Sequence, residues 1–170
     1  RTGKVTAPLG DAATYRVATL SPDGKFAVAV LADTSLGTHD LWIYEIGRGL
    51  KTRFTFDPAE DLSPAWAPDS RTVYFASSPK GRQGVYRKAI EGAGEVELVS
   101  SGEPGSQPAS VSPDGRTLLV NRSVDATRTD IWVLPLEPKA EPKVFRQTEF
   151  SEVAGSFNQD GRWVAYFSNE

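Results

Sequence analysis

A short turn sequence recurs four times along the chain at almost constant spacing. Ser-Pro-Asp-Gly-Lys at 21–25, Ala-Pro-Asp-Ser-Arg at 67–71, Ser-Pro-Asp-Gly-Arg at 112–116 and Asn-Gln-Asp-Gly-Arg at 158–162 start 46, 45 and 46 residues apart. One Asp-Gly turn says little, but four in register, each ending on a basic residue and leading into an apolar run, indicate stacked units. Other columns keep the same register. Leu20, Trp66, Val111 and Phe157 each stand one place before a turn, and Phe54, Val99 and Phe145 stand twelve places before the last three of them. Asp-Leu-Trp at 40–42 returns as Asp-Ile-Trp at 130–132 and, more weakly, as Gly-Val-Tyr at 84–86.

Within a unit the period is two. Ala27 and Ala29, Val73 and Phe75, Leu118 and Val120, and Val164 and Tyr166 hold matching alternate places, with Val28, Tyr74, Leu119 and Ala165 between them. Alternate residues of a strand share a face, so these strands are apolar on both faces and need a neighbouring sheet on each. Leu41 to Tyr44, Val85 to Lys88 and Ile131 to Leu134 form a second set of strands. Lys51 to Phe54, Val96 to Val99 and Lys143 to Phe145 form a third, and the approach to each turn supplies the fourth. Four short antiparallel strands in about 45 residues describe a propeller blade. The expected fold is all-β: a β-propeller segment of four-stranded antiparallel blades, about three complete and one partial. It is one domain over 1–170, with approximate units 14–60, 61–106, 107–151 and a partial 152–170. Residues 1–13 are expected to offer an outer strand of an adjoining blade, because Pro8 stands twelve places before Leu20.

The turns have consistent chemistry. Asp23, Asp69, Asp114 and Asp160 can accept bonds from nearby amides, and Gly24, Gly115 and Gly161 can adopt a positive φ. Ser70 replaces glycine in the second unit, so that turn must change type or hold a non-glycine residue at positive φ. The four tryptophans at 42, 66, 132 and 163 fall at strand positions and are expected to fill space between blades.

The segments WAPDSR at 66–71 and VSPDGR at 111–116, with the two Asp-apolar-Trp segments, resemble the WD-like repeat of TolB-type propellers. The resemblance runs across nearly all of the chain and implies the fold more strongly than any activity. Similar repeats form the propeller of TolB, which binds envelope proteins, the gating propellers of prolyl-oligopeptidase-like peptidases, and extensions of some bacterial protein kinases. By resemblance alone, a periplasmic or extracellular bacterial location is favoured. The chain departs from the pattern at Ser70, at Val85-Tyr86 with no Asp before them, and at Asn158-Gln159.

Composition narrows the chemistry. With no cysteine, disulfides, thiolate catalysis and sulfur-ligated zinc are excluded. The net charge of -3 repels a phosphate backbone on average, and four tryptophans without a basic groove do not make a base-stacking platform, so nucleic acid is not an expected partner. No apolar run approaches the roughly 20 residues of a membrane helix, and no membrane insertion by this segment is expected. A chain opening on Arg1 without any methionine is expected to be a fragment or a processed form. His39 is the only histidine and no Gly-x-Ser-x-Gly elbow is present, so a hydrolase triad has no basis. The repeated turn aspartates fall one per blade, too far apart for paired-carboxylate catalysis. No catalytic, metal or cofactor residues are assigned.

The expected contact surface is the end of the blades carrying the loops between second and third strands, taken as Ala32 to His39, Ser77 to Gly84 and Arg122 to Thr129. These loops are longer than tight hairpins and share that end with the connections between blades. The candidate partner-contact residues are His39, Lys80, Arg82, Arg122 and Arg128 from the loops, with Glu60, Asp61, Glu103 and Glu149 from the connections. The expected function is a non-catalytic scaffold binding a protein or peptide there. The alternative is an accessory gating or sensor propeller of a larger serine peptidase or protein kinase. Self-association is the further expectation, since three and a half blades leave an edge to cover.

Overall fold

The computed structural model describes residues 9–92, 94–101, 105–123, 125, 128–137 and 140–170. The suggested strand from Lys4 to Pro8 lies outside the described residues. Among them the chain forms three four-stranded antiparallel sheets and one two-stranded sheet. The first sheet holds β1 (Tyr15–Leu20), β2 (Phe26–Asp33), β3 (Thr38–Glu45) and β4 (Leu50–Arg53), in that order. The second holds β5 (Leu62–Trp66), β6 (Thr72–Ser77), β7 (Gly84–Ala89) and β8 (Glu97–Ser100). The third holds β9 (Gln107–Val111), β10 (Thr117–Ser123), β11 (Thr129–Pro135) and β12 (Lys143–Arg146), and the last pairs β13 (Glu152–Phe157) with β14 (Val164–Ser168). A single 3-10 turn at Pro79–Gly81 is the only helical element among the described residues.

The period-two pattern sorts residues between neighbouring sheets. Val28 and Val30 of β2 pack with Trp66, Val73 and Phe75 of the second sheet. Tyr74 and Val85 turn the other way and pack with Leu118, Val120 and Leu134 of the third. The first strand of each sheet lies against the first strand of the next, which places β1, β5, β9 and β13 on the inside of an arc.

The turns follow the expected chemistry and also touch one another. Asp23 accepts from the Ser21 hydroxyl at 2.7 Å and the Lys25 amide at 3.0 Å, and Asp114 from the Ser112 hydroxyl at 2.6 Å and the Arg116 amide at 3.0 Å. These bonds hold both carboxyls below the usual carboxylate range, the serine hydroxyl contributing most. Asp69 and Asp160 accept from the amides of Arg71 and Arg162. Gly24, Gly115 and Gly161 sit at φ 70°, 72° and 72°, and Ser70 keeps the same conformation at φ 57°. Its hydroxyl is not idle: Ser70 Oγ accepts from the Asp23 amide of the preceding turn at 3.0 Å. In the next turn, a side chain on Gly115 would come into van der Waals contact with Pro68 of the turn before it, at 3.4 Å.

Several local expectations are corrected. β2 and β3 stay paired through Ala32 with His39 and Asp33 with Thr38, leaving only 34–37 as the loop. Arg122 likewise pairs with Asp130 inside the β10–β11 ladder. Polar residues at strand ends read as loop in sequence, yet the backbone ladder accepts them. Not every column position is covered. Trp66 is buried, but Leu20 is 64% exposed and Trp163 70% exposed, with Trp42 and Trp132 half-buried. The exposed pair belongs to the first and last sheets, each of which has a face with no sheet of this chain against it among the described residues.

Trp66 ties two sheets together, its indole N–H donating to the Thr19 carbonyl at 3.1 Å. Trp66→Ala should cost about 3–5 kcal/mol through lost burial and a cavity, and Trp66→Phe about 1–2 kcal/mol through the unmade bond, both read by urea unfolding. At Ser70, Ala keeps the strained φ and loses the bond to Asp23, so Ser70→Ala should destabilise by about 1–2 kcal/mol. Ser70→Gly loses the same bond but relieves the strain, and should fall within roughly 0.5 kcal/mol of wild type.

Candidate functional site

At the loop end of the sheets, alternation along two short segments separates charges that face solvent from charges that face the interior. His39 and Asp40 are adjacent in β3, and Glu60 and Asp61 adjoin the start of β5. His39 Nδ1 lies 2.9 Å from Glu60 Oε1, and Arg16 of β1 reaches the same carboxylate at 3.7 Å. These three side chains form a half-exposed cluster where the first sheet meets the second. Asp40 and Asp61 point inward instead. Asp61 is only 1% exposed, which corrects its assignment to the contact surface. Its amide donates to the His39 carbonyl at 2.9 Å, so the connection is clamped to β3.

The buried acids organise this end. Asp40 Oδ2 accepts from the Arg53 guanidinium at 2.7 Å, while Arg53 Nε donates to the Thr55 carbonyl at 2.9 Å. Burial pushes the Asp61 carboxyl up from its ordinary value; the Ser77 and Thr55 hydroxyls pull it down, and the charge of Asp40 pushes it up further. The pattern recurs in the third sheet and the last: Asp130 accepts from Gln147 at 2.6 Å, and buried Glu152 accepts from the Thr148 hydroxyl. Each pair ties an acid at a strand start to a residue of a neighbouring strand end or of the connection between sheets. Arg16 and Arg53 were not singled out from the sequence. The signal for Arg53 was its cross-strand position opposite Trp42, two residues from Asp40.

The other candidates are scattered over this end. Lys80 and Arg82 are exposed around the 3-10 turn, and Glu149 is exposed in the connection before β13. Arg128 donates to the Thr148 carbonyl at 3.1 Å, which makes it part of the brace. Arg122 lies with its guanidinium 4.3 Å from the centre of the Trp132 ring, on the wall of the cleft between the second and third sheets. It is therefore not in one loop with Arg128. Glu103 lies outside the described residues. Among the described residues, the hydrogen-bond partner of the His39 ring is a carboxylate rather than a hydroxyl nucleophile, and no three His, Asp or Glu side chains gather as a metal site. No helix of the described residues is long and apolar enough to cross a membrane.

Residues 12–170 match the model of the TolB beta propeller domain family. The chain belongs to this family. Its TolB-type fold agrees with a solved TolB structure from Agrobacterium tumefaciens, with a TM-score of 0.74 at 19% identity over 90% of this chain and 53% of that one. An uncharacterised protein of Agrobacterium fabrum is 31% identical over 96 residues, covering 56% of this chain and 31% of its own length. The uncharacterised peptidase YuxL of Bacillus subtilis is 31% identical over 109 residues, covering 61% of this chain and 16% of its own length. The chain thus spans about half of the solved TolB chain and less than a third of either curated relative.

The buried acids give the site a signed pH dependence. Because the folded pKa of Asp61 is raised, the neutral form favours folding: that stability is present at acid pH and lost as pH rises through the folded value. Asp61→Asn mimics the neutral form. Its urea midpoint should match wild type near pH 4 and gain on it steadily towards roughly pH 7. A constant offset at every pH would contradict the argument.

Proposed function

We propose that this propeller is a non-catalytic scaffold that binds a protein or peptide partner through the loop end of its sheets. The observation that supports this best is the braced set of charges there. Buried Asp40, Asp61, Asp130 and Glu152 hold the strand starts, and half-buried His39 with exposed Glu60, Lys80, Arg82 and Glu149 stand at the same end. Charged side chains held on a rigid scaffold suit recognition, and no nucleophile and base come together among them. On the same reading, the open face of the β13–β14 sheet is covered by further blades of a longer chain or by a second copy.

One further reading has a specific observation behind it. The match to YuxL, itself described as a peptidase, favours an accessory propeller whose parent carries its active site elsewhere. A flanking α/β domain with a Gly-x-Ser-x-Gly segment would select that reading, and kinase motifs would select a sensor extension.

The side chains of Lys80 and Arg82 are exposed, and the buried Tyr86 hydroxyl bonds the Arg82 carbonyl, which alanine keeps, so replacing both by Ala should leave folding intact. A partner found by cross-linking to the purified chain should bind the double variant roughly tenfold more weakly, as expected when central charged contacts are lost. Undiminished binding by the folded variant would remove the loop end as the contact surface. Turnover in a hydrolase panel that follows the protein peak through repurification would overturn the non-catalytic claim.

A further inference from the structure

The three complete repeats allow one column to be compared across blades. Tyr44 pairs with Ala27, Lys88 with Val73 and Leu134 with Leu118, so the three occupy one structural position in successive sheets. Tyr44 and Leu134 are buried core residues. The second sheet places a lysine there, facing the first sheet, where the fold otherwise asks for an apolar side chain. There Lys88 replaces the apolar contact with a bond to the Phe54 carbonyl of the first sheet, and a local rule broken at one copy of a repeat points to a functional position.

Lys88 opens into a cleft of about 490 Å³ between the first and second sheets. Ile43, Leu50 and Phe54 line one wall, Ile90 the other, and Phe56 stands 68% exposed at the side. Lys88 Nζ donates to the Phe54 carbonyl at 2.7 Å and lies 4.9 Å and 5.4 Å from the centres of the Phe54 and Phe56 rings. The other cations around the cleft are matched: Arg48 with Glu45, Arg53 with Asp40, and Arg71 with Glu91. Among the described residues, no carboxylate lies within ion-pair distance of Lys88. An ammonium has three donors, and the Phe54 carbonyl takes one.

We propose that this cleft binds a small apolar carboxylate, such as a free arylalkanoic acid, with Lys88 as its charge partner and the Phe54 and Phe56 rings against its body. The volume suits a small ligand, and the apolar side chains of Ile43, Leu50, Phe54, Phe56 and Ile90 stand beside Lys88 in a cleft whose other charges, Glu45, Arg48, Arg53 and Glu91, are held in ion pairs. Glu45 and Glu91 at the rim oppose a second negative charge, which disfavours a phosphate dianion. Burial lowers the Lys88 pKa against the opposing charge of Asp61, and an entering carboxylate would further favour the ammonium. This site is distinct from the loop end and stands independently of the partner-binding proposal.

The test is an amide chemical-shift titration of the labelled chain with 3-phenylpropanoate, beside the neutral 3-phenylpropanamide. Saturable shifts should centre on Ile43, Phe54 and Ile90 for the acid, with the amide at least about tenfold weaker, the effect of one charge-assisted hydrogen bond. Lys88→Leu, which installs the residue of the third sheet, should fold with an unchanged or higher unfolding midpoint and bind the acid at least about tenfold more weakly. Lys88→Gln gives the same binding readout if the leucine variant folds poorly. No saturable shift with wild type, equal affinity for acid and amide, or undiminished binding by either variant would overturn the proposal.

Discussion

The middle strands of this protein carry apolar residues on both faces, and no sheet can bury two faces by itself. Val28 and Val30 need the second sheet, while Tyr74 and Val85 of the second sheet need the third. Cohesion therefore lies between blades at least as much as within them, as in any stacked repeat. The buried indole of Trp66 on the Thr19 carbonyl and the Ser70 hydroxyl on the Asp23 amide are polar expressions of the same dependence. Where a neighbour is missing, the pattern shows its cost. Trp163, Tyr166 and Phe167 of the last sheet and Tyr15, Val17 and Leu20 of the first stand exposed.

The two ends of the sheets divide the work. At one end the Asp-Gly turns are closed by their own aspartates, whose depressed pKa values make their stabilisation present at neutral pH and lost as pH falls through the folded values. At the other end carboxylates go inside, and Asp61 has the opposite sign. That end is more expensive to build, since buried carboxylates must be met by Arg53, Gln147, Thr148 and the hydroxyls near Asp61. The result is a rim whose buried acids are held by hydrogen bonds while charged side chains such as Glu60, Lys80 and Arg82 face solvent beside them.

The fold was legible because its signals repeat. Turn spacing, the column before the turn and the alternation after it each occur several times, and agreement among copies outweighs the ambiguity of any one. The rim was less legible for a physical reason. Glu60 and Asp61 look alike in sequence, yet successive residues of an extended segment point to opposite sides, so one meets His39 and the other is enclosed. His39 and Arg122 read as loop residues because they are polar, whereas ladder pairing with Ala32 and Asp130 is set by backbone geometry. Ser70 read as a defect in a glycine column, since its partner amide lies 47 residues away. Lys88 was hidden for another reason: its strangeness appears only when strand register aligns it with Tyr44 and Leu134.

If stability comes from neighbouring blades, protection should follow position in the arc rather than the length or composition of a strand. Native-state hydrogen exchange on the dilute protein measures this strand by strand. The account expects amides of β6, covered on both faces, to exchange slowest, those of β2 and β10 to follow, and those of β14 to be the fastest strand amides. Protection in β14 equal to or greater than that in β6 would contradict the claim that each blade is held in place by the blades beside it.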